Sequence, residues 1–230
     1  MKLESHPSKT KKLVLIGAGE FAAIAYEYFT HDSEYEVLAY SVEKNYLDST
    51  NPLNLPVVAF EDLESEYAPG TVELFVAIPA SDLNATRTRL YNASRDKGYK
   101  LASYVSSRCF CWHNVKIGDN TFIFENNTLQ PFTSIGNNVV MWSGNHLGHR
   151  SVIEDHCFIS SHVVISGYCT IGHSSFIGVN ATLNDGISIP SQCIIAAGTH
   201  VTKTLKEEGR VYRGAPAAEV PRLDARKLKL

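Results

Sequence analysis

Cut every six residues, positions 117–200 read IGDNTF IFENNT LQPFTS IGNNVV MWSGNH LGHRSV IEDHCF ISSHVV ISGYCT IGHSSF IGVNAT LNDGIS IPSQCI IAAGTH. The first place of every hexad, and Val201 after the last, is Ile, Leu, Met or Val without a gap. About one residue in four is of this kind in ordinary sequence, so such a run arises by chance on the order of one time in a billion. The fifth place is mostly small or β-branched, as at Thr121, Ser151, Cys169 and Ala181. The second place is often glycine, as at Gly118, Gly136, Gly148, Gly172 and Gly178.

A period of six does not match a helix, whose faces recur every 3.6 residues. It matches three short strands and their corners, closing one triangular coil of about 18 residues. The aliphatic place points to the axis and stacks on its equivalent one coil away. The small fifth place fills the remaining inner space. One coil cannot bury its own core, so coils must stack. Residues 106–203 are therefore predicted to form a left-handed parallel β-helix of hexapeptide repeats, followed by a C-terminal loop or tail over 204–230. Four of the five cysteines, Cys109, Cys157, Cys169 and Cys193, fall at the small inner place. There they act as reduced packing residues rather than as disulfides, a zinc site or nucleophiles.

The first 105 residues read differently. Residues 13–16 are a short apolar run of buried-strand type, and a helix-like stretch over 20–29 follows. Between them Gly17, Gly19 and Ala22 match G-x-G-x-x-[GA] in the right strand-to-helix context. Backbone amides at that helix start suit a diphosphate, which makes Gly17, Ala18, Gly19, Glu20 and Phe21 candidate substrate-binding residues. The alternative is that the glycines merely permit a tight turn. Further strands are expected over 37–40, 73–78 and 101–105, and a helix over 82–97. The sum is an α/β, half-Rossmann domain over 1–105.

Composition narrows the function. A formal net charge of −3 argues against a general nucleic-acid binder. No run approaches 18 apolar residues, so no membrane insertion is expected. The polar stretch 1–12 lacks the apolar segment of a secretory signal, and a cytoplasmic location follows by default. An ice-binding scaffold would need a regular threonine ladder outside the coils, whereas the outward places mix His, Arg, Asp and Asn.

Several motifs resemble the bacterial nucleotide-sugar N- and O-acetyltransferases of the sialic acid O-acetyltransferase type. The resemblance runs through Leu15-Ile16-Gly17-Ala18-Gly19, Phe75-Val76-Ala77-Ile78, Asn145-His146-Leu147-Gly148-His149, the segment from Phe158 to Gly167, Phe176-Ile177-Gly178-Val179-Asn180-Ala181, and Gly214-Ala215-Pro216-Ala217. It implies a homotrimer in surface-glycan (lipopolysaccharide) biosynthesis. Acetyl-CoA would lie between neighbouring β-helices near Gly167, Val179, Asn180 and Ala197, and a UDP- or dTDP-linked amino sugar on the N-terminal domain. Gly167, lacking Cβ, would let the pantetheine arm approach. The resemblance makes His149 the general base, with His146 second. Many relatives carry an acid directly after this histidine; this chain has Arg150. Glu154 and Asp155 are the nearby acids that could orient the ring. An amine acceptor is expected, because it must lose only one proton to become a good nucleophile, whereas a hydroxyl depends more on a well-oriented base. O-acetylation is the alternative. A zinc β-helix of the γ-carbonic anhydrase kind, which the chain partly resembles, would show an H-x4-H pair that is absent here, and no metal is expected.

Overall fold

The computed structural model describes residues 7–47, 55–216 and 218–228. Residues 1–6 of the polar N-terminal stretch, Ala217 of the Gly214-to-Ala217 motif and the last two residues of the tail lie outside it. The chain divides into two compact units, Met1–Pro79 with Arg89–Tyr104, and Ala80–Thr88 with Val105–Leu230.

In the first unit, β1 (Lys11–Ile16), β2 (Tyr35–Val42), β3 (Val57–Ala59) and β4 (Glu73–Val76) form a parallel sheet in the order β3-β2-β1-β4. Leu13 to Ile16 are buried without alternation, as a strand covered on both faces requires. Helix α1 (Glu20–Asp32) crosses between β1 and β2 and buries Phe21, Ala25 and Phe29, four apart on one stripe. Phe29 meets Phe75 of β4 with ring centres 5.2 Å apart. Leu101 makes only an isolated bridge to Leu74, and the expected last strand shrinks to Tyr104–Val105.

The helix expected over 82–97 begins late, at Ala85, and runs to Asp96. Before it, Asp82, Leu83 and Asn84 have φ of 51°, 49° and 67°. A right-handed helix cannot propagate through three left-handed residues. Packing within the second unit explains the override. Leu83 is buried among Ile194, Val211 and Ala225, and the buried Asn84 amide reaches the Ser174 carbonyl. Three residues on, Arg87 is fully buried and donates from Nη2 to the carbonyls of His156 and Cys157 at 3.2 and 3.1 Å.

The second unit is a left-handed β-helix. Its strands are two residues long, and each pairs in parallel with the strand 18 residues away, as Val140 does with Phe122 and Phe158. They stack into three faces. Face one runs from Lys116–Ile117 to Ser188–Ile189, face two from Phe122–Ile123 to Ile194–Ile195, and face three from Phe110–Cys111 to His200–Val201. The aliphatic column from Ile123 to Val201 is at most 2 % exposed at every first place, each side chain contributing about 1.5–3 kcal/mol by leaving water. Every fifth-place side chain from Thr121 to Thr199 is buried too. The polar ones stitch corners together, as Ser151 Oγ does by donating to the Ser166 carbonyl at 2.8 Å. Cys109, in the opening coil, is only partly buried.

The tail is more than a loop. Arg210–Arg213 pairs in parallel with Ile194–Ile195 on face two, and Ala218–Asp224 returns antiparallel to it. The last coil otherwise presents open strand edges, and these two strands cover the one on face two.

Asn120, Asn138 and His156 stack one coil apart at the corner between faces one and two. Asn120 Nδ2 donates to Asn138 Oδ1 at 2.7 Å, which leaves Asn138 Nδ2 to donate to His156 Nδ1 at 3.0 Å. The imidazole accepts and is held neutral. Burial first, with Arg87 and His173 adding, keeps its pKa below the ordinary 6.5 against the opposing pull of Asp155 and Asp119. The unfolded chain therefore takes up this proton first as pH falls. The stabilisation is complete above pH 6.5 and is lost progressively below it. Replacing His156 with Asn, which tolerates left-handed backbone, should flatten the decline of the thermal midpoint below that pH. Parallel declines in the two proteins would show that His156 contributes nothing to it.

Candidate active site

His149 stands at the corner between faces three and one, at the third place of its hexad, with its side chain exposed. Its backbone N–H donates to Gln130 Oε1 at 2.9 Å. The next coil brings Gly167 and Tyr168 to the same corner. The Tyr168 N–H donates to the His149 carbonyl at 2.9 Å, and the two rings meet edge to face with centres 5.0 Å apart. A Cβ on Gly167 would lie 2.6 Å from His149 Cε1 and 2.9 Å from Nε2. The room above Gly167 is taken by the imidazole. One coil further, Asp185 Oδ1 accepts the Gly167 N–H at 2.8 Å. Arg150 occupies the left-handed corner place, φ 58°, and its guanidinium stacks 4.7 Å over the Phe132 ring.

His146 is half-buried on face three, in register with Thr128 and Val164. Glu154 and Asp155 are not beside His149. Six residues carry the chain along one side of the triangle, so they stand at the next corner, between faces one and two. There Glu154 Oε2 accepts the His173 N–H at 2.9 Å and Asp155 Oδ1 the Asn137 N–H at 2.7 Å. Both line a cleft of about 730 Å³ with Thr88, His156 and His173. Among the described residues no carboxylate reaches the His149 ring, and no group of three His, Cys, Asp or Glu could hold a metal ion.

The four expected cofactor residues divide. Gly167 shares the His149 corner. Val179, Asn180 and Ala197 lie exposed at the corner between faces two and three, where the Gly198 N–H donates to the Val179 carbonyl at 2.8 Å. The two corners border face three. That face and its corners carry most of the exposed large apolar side chains, including Phe110, Trp112, Phe132, Val164 and Tyr168.

In the first unit, Gly17 has φ 114°, and a Cβ there would come within 2.9 Å of the Ala77 carbonyl oxygen. Close approach of β1 to the chain after β4 is reason enough for this glycine. Ala18 and Phe21 are buried in the same packing. Gly19 is exposed with nothing within 4 Å of a Cβ position, and it caps α1 with no side-chain hydrogen bond. Gly19 and the exposed Glu20 are thus the two members of the turn that face open space.

Gln130, Tyr168 and Asp185 were missed in the sequence. The signal was present: 18-residue steps from Arg150 and Gly167 lead to Tyr168 and Asp185, and Gln130 lies 18 residues before Gly148. No helix among the described residues is long and apolar enough to cross a membrane.

Comparison with known proteins agrees with this architecture. Residues 132–167 match the bacterial transferase hexapeptide (six repeats), and residues 168–203 the hexapeptide repeat of succinyl-transferase. Within the second unit, residues 132–203 thus match hexapeptide repeats described from transferases. A histidine-to-asparagine variant of perosamine N-acetyltransferase from Caulobacter crescentus, in complex with CoA and GDP-perosamine, superposes with a TM-score of 0.80 at 23% identity, over 91% of this chain and 96% of that one. The acetyltransferase domain of PglB from Neisseria gonorrhoeae gives 0.78 at 21% identity, over 92% and 100%. A probable UDP-3-O-acylglucosamine N-acyltransferase 2 from Arabidopsis thaliana is 31% identical over 112 residues, which is 47% of this chain and 34% of that protein. Gamma carbonic anhydrase 1 from the same plant is 36% identical over 70 residues, 30% and 25% respectively. The matched stretches span a quarter to a third of these two curated relatives.

The cysteines offer a direct check on the packing. Burial raises the Cys157 thiol to about 12 and also raises Cys169 and Cys193, so none supplies a thiolate near neutral pH. Iodoacetamide should alkylate the native protein first at the exposed Cys111, and at these three only after denaturation. Rapid native labelling at Cys157 would contradict the closed core.

Proposed function

We propose that the protein is an acetyl-CoA-dependent N-acetyltransferase that acts on the amine of a nucleotide-linked deoxyamino sugar in surface-glycan biosynthesis. The observation that carries this reading is the His149 imidazole, exposed at a β-helix corner at the hexad place where the resembling enzymes hold their base. Superposition over 91–92% of the chain on two acetyltransferase structures, one with CoA and GDP-perosamine bound, supports the same class. The nucleotide is UDP or dTDP, with GDP added by the Caulobacter enzyme. Gly19 and the start of α1 hold its diphosphate.

In this reaction the sugar nitrogen attacks the thioester carbonyl carbon, and His149 takes the proton the nitrogen sheds. The C–N bond forms and the carbonyl electrons move to oxygen. The tetrahedral intermediate collapses, breaking the C–S bond. The CoA thiolate recovers the proton from the imidazolium, leaving an amide and free CoA. His146 on face three is the second candidate for the base. His149→Ala should lower turnover by about 10²–10⁴-fold with the fold retained, measured as thiol release from acetyl-CoA. Full activity in that variant would pass the role to His146 or remove the need for a base.

The active protein is a homotrimer. The His149 corner is separated from Val179, Asn180 and Ala197 by the width of face three, whose apolar side chains would be covered when one subunit's His149 corner meets the next subunit's Val179 corner. Co-expression of His149→Ala with Val179→Asp should then yield mixed trimers with measurable activity, although each variant alone is impaired. A monomer mass by light scattering, or no complementation, would contradict the shared site.

A further inference from the structure

We propose that Gly167 and Tyr168 are positioning residues that set the orientation of the His149 imidazole in place of a carboxylate. The inference rests on the reading of His149 as the base. A catalytic imidazole usually has its second nitrogen held by a carboxylate or carbonyl. Here Arg150 replaces the expected acid and turns away onto Phe132, and Glu154 and Asp155 serve another corner.

The ring is held by shape. Gly167, one coil along, is its floor. A Cβ there would meet Cε1, Nε2 and Nδ1 at 2.6, 2.9 and 3.0 Å, so the imidazole lies across the space that any other residue would fill. Gly167 is not among the glycines with positive φ, and its backbone conformation does not call for glycine. Only the ring does. Tyr168 is the wall, its ring at 83° to the imidazole. Asp185 pins the floor by accepting the Gly167 N–H, and the Tyr168 N–H ties the wall to the His149 carbonyl. The imidazole is confined on two sides and otherwise exposed to solvent.

This assigns Gly167 a role distinct from contact with pantetheine, and the two separate in kinetics. In the full-length protein, Gly167→Ala should lower kcat about 10- to 100-fold, as a misplaced catalytic group does, with the KM for acetyl-CoA nearly unchanged. Tyr168→Ala should lower kcat in the same way, whereas Tyr168→Phe, which keeps the ring, should restore it. A raised acetyl-CoA KM at unchanged kcat in Gly167→Ala would overturn the proposal in favour of a cofactor contact. Should Gly167→Ala fail to fold, the Tyr168 pair still decides: equal kcat for Tyr168→Ala and wild type would overturn it. His149→Ala run alongside separates this from the base assignment, since full activity there removes the base itself, whereas an inactive His149→Ala with unaffected Gly167 and Tyr168 variants removes only the positioning.

Discussion

The β-helix depends on one backbone requirement, a left-handed residue at the fourth place of every hexad. From Asn120 to Gly198, fourteen corners in succession carry φ between 50° and 78°. Each non-glycine residue there costs about 1–2 kcal/mol relative to right-handed backbone. The cost is met by what the corner permits: a sharp turn every six residues, an aliphatic side chain returned to the axis, and parallel pairing at 18 residues along all three faces. Remove the corners and neither the core column nor the ladders could form.

That requirement also explains what was legible. The inner column announces itself because every first-place residue must be aliphatic, so the β-helix could be read from 117–200 alone. The corner place is written less plainly. Asn, Gly and His recur there, as Asn138, Gly144 and His156, but Phe132, Arg150 and Tyr168 stand there as well. Stacking tolerates them because their side chains point outward and find partners one coil away. In the first unit the parallel sheet was legible from unbroken apolar runs such as residues 13–16. The late start of the helix at Ala85 was not, because it follows from tertiary burial of Leu83 and Asn84 rather than from local preference.

The same geometry sorts the candidate site. Residues six apart stand on different corners, and residues 18 apart touch. Glu154 and Asp155 looked close to His149 along the chain and are one side of the triangle away. Gly167 and Tyr168 looked distant and are in contact with it. Sequence proximity is therefore a poor guide within a coil, and stacking distance a good one. Arg150 fits this scheme as a corner residue whose guanidinium packs on Phe132. On the proposed reading of His149 as the base, the ring is held by shape, which suits an amine that needs to lose a single proton better than a hydroxyl that must be activated more strongly.

The central claim is that this corner transfers an acetyl group to an amine. Mass spectrometry with fragmentation, after incubation of the protein with acetyl-CoA and UDP-, dTDP- and GDP-linked amino sugars, tests it most directly. The account predicts one added acetyl group, located by fragmentation on the sugar nitrogen, with at least one of these nucleotide-linked sugars serving as acceptor. Acetylation on oxygen alone, or equal reaction of sugars that lack an amine, would contradict it.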